Sequence, residues 1–295
     1  MKKKIAGVAV VGIVALILAA VIGRLATKTP APVALPVPNG YDDFMAAARM
    51  IEKPPGKVES MTRFELEEMV KGEAEPLKLI HAGLLKSCRV TTTNSMEYIE
   101  AHHRELSSAV ALARLLAAEA RLAEMNSLPA EAAAAYVNVI RYGQQLSHGG
   151  VMIDRLSGIA CEKIGVGGLF GIHQKLGSAD CARLIKMLEE IDGAAESPKA
   201  TLDREHAWSA AVGGWQGGMI RLIKPNLTAA AEAKYLKGDQ DAELQRRRIM
   251  IDLAARAYEA DHQKRPAGFS DLVPRYLPKI PNDSTTGAAV TYAWH

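Results

Sequence analysis

Three acid–histidine pairs are the residues whose types and spacing could support chemistry. In each pair a carboxylate lies three residues before an imidazole: Glu100 with His103, Asp203 with His206, and Glu259 with His262. This Glu-x-x-His spacing places both side chains on one face of a helix and is used by helical di-iron proteins. A site of that kind also requires ligands from several helices to converge on the metal.

The predicted helical positions of these pairs do not favour convergence. His103 lies on the apolar stripe of a long helix, His206 lies on a face of small residues, and His262 lies on a polar face. We therefore interpret the histidines as core or surface residues and predict no metal and no cofactor. In the alternative hypothesis, an envelope hydrolase or metalloenzyme, Glu100 and His103 are the metal candidates.

Other signatures of catalysis or ligand binding are absent from the sequence. It contains no Gly-x-Ser-x-Gly elbow, no His-Glu-x-x-His motif and no Walker loop. The glycines between Gly165 and Gly171 do not form a phosphate loop, because Phe170 stands where glycine is required. The net charge of +3 gives no basis for nucleic-acid binding.

The segment from Leu128 to Gly177 predicts two helices joined by a tight turn. Pro129 suits the first turn of a helix, and the sequence from His148 to Gly150 suits a helix end. In the second helix, small residues recur at spacings of three and four, as Gly158, Cys161, Gly165 and Gly168. We expect Gly158, Gly165 and Gly168 to form a face at which another helix crosses closely.

Composition favours an all-α fold of stacked antiparallel helix hairpins. Hydrophobic residues make up 48% of the chain but aromatic residues only 5%, so the core must be aliphatic and rich in alanine. The longest helix is predicted from Met96 to Asn126, and Gly238 to Asp241 is predicted to be a turn. Cys88, Cys161 and Cys181 are interpreted as small core residues.

The N-terminal sequence predicts a membrane anchor. Lysines at positions 2 to 4 precede 19 uncharged residues, 5–23, which span about 28 Å as a helix and would contact the lipid bilayer. The positive charge keeps the N-terminus in the cytoplasm and exports the rest. We therefore predict a signal-anchor at 1–27 and a proline-rich linker at 28–38, which together place the following domain in the periplasm.

The last part of the chain differs in character from the helical domain at 39–265. It contains Leu272, Val273, Pro274, Tyr276 and Leu277, followed by a Pro-x-Asp sequence, Gly287 and a predicted short strand or hairpin. This order, over 266–292, resembles the tails of bacterial pseudopilin-type proteins and of membrane-anchored helical envelope proteins. The resemblance implies that 266–295 is a capping tail on the helices.

These features together favour a non-enzymatic role. We expect a single-pass protein of the bacterial inner membrane whose exported helical domain acts as a scaffold or protein-interaction module. Its partner would be another envelope protein, and the sequence does not identify it.

Overall fold

A computed structural model describes residues 34–52, 54–93, 95–223 and 225–293. Ten α-helices lie in this part of the chain: α1 (Gly40–Met50), α2 (Arg63–Gly72), α3 (Ala74–Leu84), α4 (Met96–Met125), α5 (Pro129–Ser147), α6 (Met152–Ile172), α7 (Ser178–Gly193), α8 (Pro198–Ile223), α9 (Pro225–His262) and α10 (Phe269–Leu272). Short 3-10 turns occur at Val58–Ser60 and His173–Lys175. The described chain is therefore all-α, as predicted.

The α5–α6 hairpin lies at the centre of the fold. Pro129 occupies the first turn of α5, where its missing N–H removes no helical hydrogen bond. After α5 the chain reverses through Gly149, whose φ of +77° favours glycine, and the Val90 N–H donates to the His148 carbonyl across the turn. The predicted helix–turn–helix from Leu128 to Gly177 is thus present.

Helix α4 packs along this hairpin through a surface of alanine and leucine. Its buried residues include Ala109, Leu112 and Leu116, and the hydroxyl of fully buried Tyr142 donates to the Ala109 carbonyl at 2.8 Å. Short side chains allow the helices to approach closely, and the hydrogen bond satisfies a tyrosine that would otherwise be costly to bury. This three-helix unit fixes the side chains described below.

The predicted turn from Gly238 to Asp241 is wrong, because α9 runs through it without a break. One face of α9 is buried at Tyr235, Asp239, Ala242 and Arg246, which recur at helical spacing. Contacts of this buried face with neighbouring helices outweigh the cost of about 1 kcal/mol for a glycine in a helix interior.

The C-terminal tail packs on α9 without forming a strand. Leu277 and Val290 are buried, and the Tyr292 hydroxyl donates to the Asp252 carboxylate of α9. In the part of the chain that the structure describes, the predicted strand or hairpin is reduced to one antiparallel bridge between Asn282 and Ala289.

The predicted anchor at 1–27 and the first residues of the linker lie outside the described residues. Among the helices that are described, none combines the length and the apolar character needed to cross a membrane.

Candidate functional site

The candidate metal residues lie on the protein surface. Glu100 and His103 are both exposed on α4, and the histidine that is buried there is its neighbour, His102, at 3% exposure. The expected position of His103 on the apolar stripe is therefore wrong by one residue, or about 100° around the helix. Within the described ranges, no group of three or more His, Cys, Asp or Glu side chains is placed to hold a metal ion.

His102 instead joins α4 to the start of α6. Its Nε2 atom lies 2.5 Å from Oδ1 of Asp154, which is fully buried, and Asp154 Oδ2 accepts a hydrogen bond from the Val151 N–H at 2.8 Å. The Tyr98 ring stacks on the imidazole, with centroids 5.0 Å apart. Both carboxylate oxygens accept hydrogen bonds and the pair is buried, so it holds the α5–α6 turn against α4 and is out of reach of a ligand.

A second buried polar cluster connects α6, α7 and α9. Glu162 is 1% exposed and pairs with both Arg155 and Arg246, which also pair with Asp239 at 2.6 Å and Asp192 at 2.9 Å. Burial by itself would raise the pKa of Glu162, but the two guanidinium groups outweigh it and hold that pKa below its usual value. Every charge of this network is paired, which is typical of a structural contact between helices.

The predicted helix-crossing residues Gly158 and Gly165 lie directly against α5. A Cβ atom added to Gly165 would lie 2.6 Å from the Tyr136 carbonyl oxygen, and one added to Gly158 would collide with the Gly143 carbonyl oxygen. Distances of this size exclude any side chain unless a backbone moves. The two helices therefore cross at backbone contact, which only glycine permits.

Gly168 has a different neighbour, an aromatic ring. A Cβ atom at this position would overlap the Tyr136 ring, so the missing side chain provides the space in which that ring lies. Tyr136 is 6% exposed, and its ring fills the space beside Gly168.

Beside Tyr136 lies an open groove of about 540 Å³, which we call the α6 groove. It is formed by the 3-10 turn at Val58–Ser60 together with α4, α5 and α6. Its lining residues are Val58, Glu59, Ala117, Arg121, Glu124, Tyr136, Lys163, Ile164, Gly167, Gly168 and Gly171. A Cβ atom added to Gly167 or Gly171 would meet no atom within 4 Å. These two glycines thus leave one wall of the groove flat, and the groove volume is in the range of small-molecule sites.

Some charges of the α6 groove are paired with each other. Glu124 accepts from Arg121 at 2.6 Å and from Lys175 at 3.0 Å, and these cations lower its pKa against the opposing effect of burial. The Nε atom of Arg121 is buried without a hydrogen-bond partner. Lys163 and Glu59 are exposed at the edge of the groove. The groove is therefore lined by charged side chains of both signs.

Burial is also the main cause of the raised pKa of Tyr136, the tyrosine in the groove. It raises the pKa of Tyr136 to about 12, and the nearby Glu124 carboxylate acts in the same direction. The Tyr136 hydroxyl is consequently protonated at neutral pH and is available as a hydrogen-bond donor.

Only part of this groove could be recognised from the sequence. Gly168 was predicted to lie at a helix crossing, whereas nothing in the sequence predicted a role for Gly167 and Gly171, which lie one turn apart. Tyr136 and Arg121 belong to different helices and carry no local motif. Their meeting depends on the α4–α5–α6 packing, which spacing along the chain does not reveal.

Comparisons with known proteins give no relative of this chain. No protein-family model, no curated protein and no solved structure matches it.

Proposed function

We propose that this chain is an exported, membrane-anchored helical interaction module of the bacterial cell envelope, with the α6 groove as its binding surface. The observation that carries the binding role is the groove itself, an open space of about 540 Å³ bordered by Gly167 and Gly171, where an added Cβ atom would meet nothing. A flat glycine wall and a rigid three-helix frame suit a binding surface, because they can hold a ligand in one position.

The anchoring part of the proposal rests on the amino-acid sequence. Lysines precede the uncharged segment 5–23, and prolines are frequent in 28–38, so the helical domain would be held away from the inner membrane on its periplasmic side. A reporter that is active only in the periplasm, fused after His295, should be active. The protein should also stay with membranes in alkaline carbonate, whereas release would contradict an anchor.

The binding role can be tested in cells by site-specific photocrosslinking. A photoreactive residue at Gly171 faces the α6 groove, and the matched control at Gly238 lies on α9, where an added side chain also meets no atom within 4 Å. We expect a discrete crosslinked product from position 171 that the Gly167→Leu variant abolishes. The same products from both positions would contradict a specific binding surface.

Metal content distinguishes the alternative hypothesis, a metalloenzyme, from the proposed interaction module. We expect the purified full-length protein to contain no stoichiometric iron, manganese or zinc. A metal present at one per chain and lost in His103→Ala would favour the enzyme, since Glu100 and His103 are the exposed acid–histidine pair on α4.

A further inference from the structure

The α5–α6 turn is held by two carboxylates that come from the start of α8. Glu196, in the loop just before α8, accepts a hydrogen bond from the Gly149 N–H at 2.8 Å, and Glu205 accepts one from the Met152 N–H at 3.1 Å. These N–H groups lie between the end of α5 and the first residue of α6, where partners within the helices are lacking. The α8 side therefore supplies acceptors that the turn itself does not have.

A guanidinium group connects the same two elements. Arg204 Nε donates to the Gly150 carbonyl at 2.8 Å, and the two Nη atoms of Arg204 donate to the Glu196 carboxylate at 3.1 and 2.6 Å. One carboxylate thus accepts from the turn and from α8 at once. Removing its negative charge weakens both contacts together.

The first part of α8, 198–212, has a more polar attachment than α9. The Trp208 indole N–H donates to the Thr93 carbonyl at 3.1 Å, and the most deeply buried of the described side chains in 198–212 is Thr201, at 3% exposure. Helix α9, in contrast, buries Ile249 and Leu253 in the hydrophobic core. Loss of the polar contacts would therefore free the first part of α8 while α9 stays packed.

Acid acts on this attachment through Glu196. Burial alone would raise the pKa of its carboxyl, but the Gly149 N–H and Arg204 outweigh burial and hold that pKa below its ordinary value of 4.5. The stabilisation is therefore complete above pH 4.5 and is lost as the pH falls through the pKa of the closed form. His148, at the end of α5, also faces Glu196. An imidazole is cationic in acid, so protonation of Glu196 leaves two neighbouring cations without their acid.

We propose that the first part of α8, together with Glu196, is an acid-released latch on the α5–α6 turn. The latch is closed at neutral pH by the contacts of Glu196, Arg204 and Glu205, and it opens when the carboxylates are protonated. This movement goes beyond the binding role of the α6 groove, and either can hold without the other.

Hydrogen exchange of the full-length protein in detergent, measured by mass spectrometry, tests the latch. Protection factors at pH 7 and pH 3.5 are compared, because they divide out the effect of pH on the intrinsic exchange rate. We expect protection in 146–156 and 198–212 to fall by about threefold or more at pH 3.5, while protection in 109–120 of α4 is unchanged. A parallel fall in all three segments, or no fall in the first two, would overturn the proposal.

Variants at neutral pH separate the latch from general acid unfolding. Glu196→Gln combined with Glu205→Gln keeps the shape of both side chains and removes their charge. This double variant should lower protection in 146–156 at pH 7 and remove most of its pH dependence. Glu189→Gln on α7, at an exposed side chain, is the matched control and should change neither. Protection that falls with acid in the double variant as much as in the natural protein would assign the effect to another group and refute the latch.

Discussion

Helix α6 carries glycines on two of its faces, and the two sets have opposite surroundings. Gly158 and Gly165 lie against the backbone of α5, where an added Cβ atom would collide with a carbonyl oxygen. Gly167 and Gly171 border the α6 groove, where an added Cβ atom would meet nothing. The same residue type therefore brings two helices together on one face and keeps a groove open on another.

The difference matters because each glycine in a helix interior costs about 1 kcal/mol relative to alanine. On the packed face, close helix contact offsets that cost. On the open face no contact within the described chain offsets this cost, so Gly167 lowers the stability of the fold and leaves the groove open. Substitutions on the two faces should therefore change the stability by different amounts and in opposite directions.

The largest effect is expected on the packed face, from Glu162→Ala. This change removes the carboxylate shared by Arg155 and Arg246 and leaves part of their charge buried without a partner, which costs about 3 to 5 kcal/mol. Denaturant unfolding would measure the loss. Lys163→Ala is the matched control, because its side chain is exposed and its removal should change stability by less than about 0.5 kcal/mol. Equal losses for the two variants would remove the contrast between the faces.

A smaller loss is expected from Gly165→Leu. The leucine must push α6 away from α5, and overpacking of this kind costs about 1 to 3 kcal/mol or more. Gly167→Leu, two residues away, should instead raise the thermal midpoint slightly, because leucine is a better helix former than glycine. A midpoint for Gly165→Leu that is unchanged or higher would mean that the α5–α6 crossing tolerates separation.

Acid should weaken the packed face by less than Glu162→Ala does, because a protonated carboxyl keeps its shape. The pKa of Glu162 is lower in the folded protein than its ordinary value of 4.5, so the unfolded chain binds the proton first. The stabilisation is complete above pH 4.5 and is lost as the pH falls through the folded-state pKa. Glu162→Gln should show a shallower loss of stability between pH 5 and pH 3, by about 1 kcal/mol or less. Glu67→Gln, at an exposed ion pair, serves as control for the substitution itself.

The smallest expected effect is a gain on the open face. Gly167→Ala adds a methyl group where no atom lies within 4 Å, and it should stabilise the protein by up to about 1 kcal/mol. Thermal unfolding at several protein concentrations would measure the gain. A lower midpoint would show that the space beside Gly167 is filled, which would also undermine the α6 groove.

The α5–α6 hairpin could be predicted because its signals are local. Pro129 opens α5, glycines follow its end, and glycines at spacings of three and four mark the crossing face. The all-α class likewise follows from an alanine-rich composition. Periodicity and helix capping act over a few residues, so a single sequence retains them.

Other features depend on contacts between distant residues and could not be predicted. Glu162 and Arg246 are 84 residues apart in sequence, yet they share a buried ion pair. Helix α4 is covered on more than one side, so its apolar stripe is broad. A broad stripe does not predict which of two neighbouring residues faces the core, and His102 rather than His103 is buried. At Gly238 tertiary packing overrides a local turn signal.

The three cysteines are buried and unpaired, so their reaction with a labelling reagent can be used to follow local unfolding of this protein. Cys88, Cys161 and Cys181 form no disulfide, and burial raises the pKa of Cys88 and Cys181 to about 12 and raises that of Cys161 as well. Neutral thiols sealed from solvent do not react with alkylating reagents until the surrounding helices separate. Because the three sit after α3, within α6 and at the start of α7, their order of labelling would map which part of the bundle opens first.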